Sequence, residues 1–186
     1  MNIVQIIAPI KEPLTLEDAK NFMHILEDDE DTLIETFISS AREYAENYTN
    51  RQFEKATYEL YINTFIQDMK MPKNPISSIE KIEFMDIDGN YEELEKEFYY
   101  LYGENDIFKI HFESFKPHKT HKQAVKITFI AGYDEVPKSI LQALKIYVAT
   151  LYENREQYVI DFNSRTNVTE VPIVQKMLSM YRVQPI

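Results

Sequence analysis

The spacing of apolar residues changes period twice along the chain, and this constrains the fold more than any single motif does. Leu33, Ile34, Phe37, Ile38, Ala41, Tyr44, Ala45 and Tyr48 recur every three to four positions and form one unbroken helical stripe. The period then drops to two. Residues 57–66 (TYELYINTFI), 81–87 (KIEFMDI), 98–102 (FYYLY), 106–112 (DIFKIHF) and 124–133 (AVKITFIAGY) alternate and are rich in β-formers. Helical spacing returns after Pro137 with Ile140, Leu141, Ala143, Leu144, Tyr147, Val148, Leu151 and Tyr152.

Two shorter helices complete the outline. One opens at Thr15, where Thr15 and Asp18 have capping-box spacing and Leu16, Ala19, Phe22, Met23 and Leu26 follow. The other opens at Pro172 and carries Ile173, Val174, Met177, Leu178 and Tyr181. The predicted class is α+β: a bundle of two long helices (32–49 and 138–155) and two shorter ones, with a small antiparallel β-sheet of five strands inserted between them. Residues 1–186 are expected to form a single domain, helical over 14–52 and 137–186, with the β insertion at 54–133. Turns are expected at Asp88–Gly89 and at residues 103–105, and Gly132 should stop the last strand. Residues 113–123 read as an exposed basic loop, and 157–171 as a polar, mobile segment.

Composition enters chiefly by exclusion. Lys and Arg number 20 against 31 Asp and Glu, a net charge of −11, which argues against a general nucleic-acid binder and against attraction to anionic membranes. With no Cys there is no disulfide framework, zinc finger or thiol nucleophile. Gly89, Gly103 and Gly132 stand too far apart to write a P-loop or a dinucleotide fingerprint. The opening residues lack a signal-peptide pattern, and no apolar run reaches the roughly 20 residues that span a bilayer, so a cytoplasmic site of synthesis is expected.

Candidate chemistry is sparse. The acidic run at 28–31 offers hard-cation ligands but lacks the spacing of a calcium loop, and it sits where a helix N-terminus favours negative charge. His118 and His121, with His111 nearby, fall short of a full ligand set. His24 reads as a half-exposed surface residue, and Ser39, Ser40 and Ser139 lie within helices without a nucleophile elbow. The 13 tyrosines are the more informative feature. Most serve a core or its edge, but so many amphipathic rings favour protein–protein assembly.

The landmarks in order resemble a known family. EPLTLEDAK (12–20), the helix DTLIETFISSAREYAENYTNRQF (31–53), the strand near TYELYI (57–62) and MPKNPISSIEKIEFMDIDG (71–89) are similar to phage head–tail connector proteins, also called adaptor or neck proteins. So are ITFIAGYDEVPKSILQALKIYVATLYENRE (127–156) and the closing MLSMYRV (177–183). The family occurs in tailed phages, prophages and gene transfer agents. The resemblance implies a structural virion protein, not an enzyme, with no cofactor or metal, located in the virion neck and in the host cytoplasm during assembly. It implies a homo-oligomeric ring, dodecameric on the portal protein, that extends the DNA channel and offers a surface to tail or tail-completion proteins. DNA would pass through without specific binding, past acidic walls, and no membrane is involved. The candidate partner interface on this reading is Tyr158, Phe162, Met177, Met180, Tyr181 and Arg182. Competing readings are a tail-completion or other neck protein and, from a different class, a metal-dependent hydrolase built on residues 28–31 or on His118 and His121.

Overall fold

Helix starts and stops are set by the residues expected to set them. In the computed structural model, which describes residues 1–113, 120–154 and 172–183, the first helix, α1 (Leu16–Met23), is capped by Thr15. The Thr15 hydroxyl oxygen accepts from the Asp18 amide at 3.1 Å while its proton goes to the Asp18 carboxylate. His24 closes the helix in the left-handed region at φ 58°, so it is a C-terminal cap rather than an interruption of a longer amphipathic helix. Helix α2 (Asp31–Thr49) buries Ile34, Ile38, Ala41 and Ala45, and α3 (Lys138–Glu153) buries Ile140, Ala143, Leu144 and Val148. These stripes pack on each other, with Tyr44 and Tyr147 ring centroids 4.8 Å apart. The last helix, α4 (Pro172–Ser179), buries Val174 and Leu178 and packs on α3 and α2.

The chain is α+β, and it divides into two compact units. One comprises Glu12–Thr49 and Glu135–Arg182, and the other Met1–Lys11, Asn50–Asp134 and Val183–Ile186. The helices belong to the first. Among the described residues the second holds eight strands: β1 (Asn2–Ile7), β2 (Ala56–Ile62), β3 (Asp68–Lys70), β4 (Ile76–Met85), β5 (Tyr91–Glu93), β6 (Tyr99–Glu104), β7 (Ile107–Phe112) and β8 (Val125–Ala131). They form two antiparallel sheets, ordered β1-β2-β8-β4-β5 and β3-β7-β6. Leu60, Ile82, Phe84, Ile127 and Phe129 of the larger sheet share a core with Ile110 and Phe112 of the smaller. Phe65 joins them, its ring 5.0 Å from Phe112 and 5.9 Å from Phe84.

The expected single sheet of five strands is thus corrected to two sheets of eight. Strand β1 escapes an alternation search because it is an edge strand with both faces largely wet, and β3 and β5 are three residues long. Strand β4 begins at Ile76, before the residues whose alternation marked it, and two register shifts explain why its early part does not alternate. The second hairpin turn also moves. Asn105 and Asp106 have φ of 52° and 60°, the paired positive values of a tight hairpin turn, while Gly103 lies within β6. Gly132 does end the last strand, at φ 138°, where a Cβ would stand 2.7 Å from the Lys55 Cα.

Candidate interaction surfaces

On the helical unit, the acidic run forms the approach to α2, and Lys20 neutralises part of its charge. Lys20 Nζ reaches Asp28 and Asp31 at 2.6 Å each, and these hydrogen bonds, Asp28 foremost, hold the ammonium pKa above its ordinary value. Glu30 accepts a hydrogen bond from the Tyr152 hydroxyl. Arg42 is anchored in the same way: its Nε donates to Glu12 at 2.7 Å and its NH1 to Glu46 at 2.9 Å, while the Ser39 hydroxyl donates to the other Glu12 oxygen.

The closing segment places its sequence-nominated residues differently from one another. Met177 is half-buried and Met180 is 73% exposed. The Tyr181 hydroxyl shares a hydrogen bond with Ser139 at 2.5 Å, and the Arg182 guanidinium lies 5.3 Å over the Tyr48 ring. Tyr158 and Phe162 lie outside the described residues, as does His118. His121 Nδ1 is 2.9 Å from the Lys122 carbonyl oxygen, and His111 is bound elsewhere. Among the described residues no three His, Cys, Asp or Glu side chains gather in a way that could hold a metal ion.

The outer faces of the two sheets differ in how they use charge. On the larger sheet the charges neutralise one another: across strands Lys126 Nζ meets Glu83 at 2.5 Å and Glu59 at 4.0 Å, and along β4 Lys81 meets Glu83 at 2.8 Å. Burial opposes ionisation of Glu83, but its hydrogen bonds to Lys126 and Lys81 outweigh that and hold its pKa below the ordinary value. The Tyr61 hydroxyl donates to Glu59 at 2.5 Å, and this bond pushes the Tyr61 pKa up to about 12.

The smaller sheet carries a grid that sequence inspection does not find. Strand pairing aligns Asp68, His111 and Tyr100 in one cross-strand row and Lys70, Lys109 and Tyr102 in the next. In the first row the Asp68 carboxylate accepts from the Tyr102 hydroxyl at 2.9 Å and meets His111 Nδ1 at 2.7 Å. The His111 bond, then the Tyr102 bond, lower the Asp68 pKa. Tyr100 stacks on His111 with centroids 5.0 Å apart, and Lys109 lies 5.7 Å from the Tyr102 ring centre. Tyr100 and Tyr102 stand out among the tyrosines only once the register is known.

Comparison with known proteins follows the same outline. Residues 13–88 match the family model described as Phage gp6-like head-tail connector protein. A chain in the neck of an empty GTA particle, computed with C6 symmetry, superposes with a TM-score of 0.78 at 15% identity, over 100% of this chain and 97% of that one. A chain in the virion of a native gene transfer agent particle gives 0.77 at 16% identity, with the same coverage of 100% and 97%. One in the neck of a native GTA particle, computed with C12 symmetry, gives 0.76 at 15%, again over 100% and 97%. No curated protein matches the sequence.

Proposed function

We propose that this chain, whose residues 13–88 match the model of a phage head–tail connector family, is a member of that family and a structural component of a virion neck. In that role it forms a ring beneath the portal, extends the DNA channel and presents the surface to which tail or tail-completion proteins attach. The observation that carries the reading is the extent of the fold match, 100% of this chain and 97% of a chain in a GTA neck at a TM-score of 0.78. The necks in that comparison were computed with C6 and C12 symmetry, which fits a cyclic assembly. Each subunit is one connector domain, a helical bundle with every strand but β1 inserted between α2 and α3 in the chain.

The role is not enzymatic. Asp28 and Asp31, the most acidic candidate for metal chemistry, already share the Lys20 ammonium. Portal contact falls to the end of α4, where Met180 and Arg182 are exposed beside Met177 and Tyr181, and Tyr158 and Phe162, outside the described residues, are assigned to it from the sequence. Assembly takes place in the host cytoplasm, and DNA crosses the ring without specific binding.

The test is to mix the purified chain with portal complexes that carry no tail protein and to image and weigh the product. A cyclic layer of this chain on the portal is the expected result. Met180→Glu with Arg182→Glu should abolish that layer with only a small fall in thermal midpoint, because both side chains are exposed and the Arg182 contact with Tyr48 is worth about 0.5–1 kcal/mol. Portals that never take up the chain would refute a connector role, and uptake only when tail protein is present would make it a tail-completion protein.

A further inference from the structure

We propose that the outer face of the β3-β7-β6 sheet is a docking surface for a second copy of this chain, and that its occupant is the acidic junction between α1 and α2. The inference rests on the ring-forming reading above and names the contact that would close the ring.

The first support is an electrostatic arrangement that costs stability in an isolated subunit. Lys70 and Lys109 stand directly opposite each other on antiparallel strands, a spacing of about 5 Å between Cβ atoms at which like charges repel. Neither lysine has a carboxylate within ion-pair distance among the described residues. The nearby acid, Asp68, is engaged by His111 and Tyr102. Glu104, at the end of β6, is the other acid on this face. In a chain of net charge −11, two facing lysines left unpaired mark a place where an anionic group from outside would relieve repulsion and gain two charge-assisted hydrogen bonds.

The second support is shape and rigidity. Tyr100 is stacked on His111 and Tyr102 is hydrogen-bonded to Asp68, so both rings are held in place before any partner arrives. Yet Tyr100 is 47% exposed and Tyr102 is 37% exposed. Rings of this kind, preordered and half-exposed, anchor protein interfaces. Beside them a hollow of about 450 Å³ is lined by Tyr102, Gly103, Glu104, Ile107 and Lys109.

The occupant is identified by complementarity. Leu26, between α1 and α2, is 88% exposed, and Phe22 on the last turn of α1 is 38% exposed. Glu27 and Asp29 follow it, exposed and without ion-pair partners among the described residues. An exposed apolar side chain followed by two carboxylates without ion pairs therefore answers a hollow lined by Lys109, with Lys70 opposite it on the neighbouring strand. The contact joins different patches on two copies, which is the heterologous geometry that a cyclic ring requires. Identical acidic chains would otherwise repel, so a locally cationic face gives the approach its direction.

The absence of Cys makes the test direct. Glu104→Cys copies carrying a size tag are mixed with untagged Asn21→Cys copies, which leave Tyr102 and Leu26 in place, and treated with a short bis-maleimide, at chain concentrations up to millimolar. Mixed cross-linked dimers are expected. Adding Lys70→Glu and Lys109→Glu to the first partner should lower their yield about tenfold or more, since two attractions become repulsions. Adding Glu27→Lys and Asp29→Lys to the second should restore it. No mixed dimers at millimolar chain, or a yield indifferent to the reversals, would overturn the docking. So would a result in which Lys70→Glu with Lys109→Glu leaves the yield intact but abolishes retention of a DNA oligonucleotide, because the anion would then be phosphate. Portal-bound rings with this face open to solvent would overturn the docking and leave the connector role standing. Charge-reversible dimers together with portals that never bind the chain would do the opposite.

Discussion

Replacing Arg42 by Met tests whether the helical unit is fastened to the segment before α1 by charge rather than by apolar contact alone. The guanidinium is 14% exposed and joins Glu46, 10% exposed, to Glu12, 32% exposed. Burial works against its charge, but the Glu12 and Glu46 contacts outweigh burial and hold its pKa above the ordinary value. Met keeps the aliphatic stem and removes the positive charge, leaving two carboxylates side by side. Orphaning a fully buried ion costs about 3–5 kcal/mol, and water reaching Glu12 discounts that to about 2–3 kcal/mol here. For a chain of this size, that is a fall in thermal midpoint of roughly 5–10 °C, read by circular dichroism at the helical signal. The triple variant Arg42→Met, Glu12→Gln, Glu46→Met should recover most of the loss, because no unpaired charge remains. A single variant within about 0.5 kcal/mol of the parent, or a triple variant worse than the single, would refute this account of the anchor.

Three further outcomes are expected. Thr15→Ala should cost about 1 kcal/mol in urea titration, since the Asp18 amide loses its cap acceptor. Gly132→Ala should cost about 2 kcal/mol or more by thermal melting, because φ 138° and the Lys55 backbone both exclude a Cβ. Glu83 has a folded pKa below its ordinary value of 4.5, so its contribution is present at neutral pH and is lost as pH falls through that value toward the folded one. The stability gap between the parent and Glu83→Gln should therefore be full at pH 7 and close in acid, and a gap that widens in acid would contradict the pairing with Lys126 and Lys81.

What the sequence reveals follows from what each element buries. Helices α2 and α3 bury one continuous stripe each, so their 3.6-residue period is visible in the sequence and their bounds are matched to within two residues. Strands β2 and β8 lie inside the larger sheet with one face on the core, and their strict alternation shows it. Strand β1 has no such signature, because exposure on both faces leaves no apolar side to repeat. The Gly103 turn is misplaced for a different reason. Glycine is read as a turn former, but here it is required by the close approach of the Ile107 carbonyl across the hairpin, while Asn105 and Asp106 carry the positive φ values.

The same reasoning separates the charges that sequence can interpret from those it cannot. Lys20 and the acidic run are near neighbours in the chain, and a helix start that gathers acids is a local matter. The facing of Lys70 and Lys109 depends on the register of two strands far apart in sequence. Summed charge therefore misleads if it is taken as a property of the whole surface. Lys20, Arg42, Lys55 and Lys126 are each occupied by acids of their own unit, so the surplus of −11 is carried outward by carboxylates such as Glu27, Asp29, Glu92 and Glu97. For copies with that surplus to close a ring around DNA, Glu27 and Asp29 face the paired lysines of the next copy, and the remaining acids, such as Glu92 and Glu97, face the polyanion or solvent. On the proposed reading, one charge imbalance keeps the channel from holding its cargo and gives the subunits a direction in which to assemble.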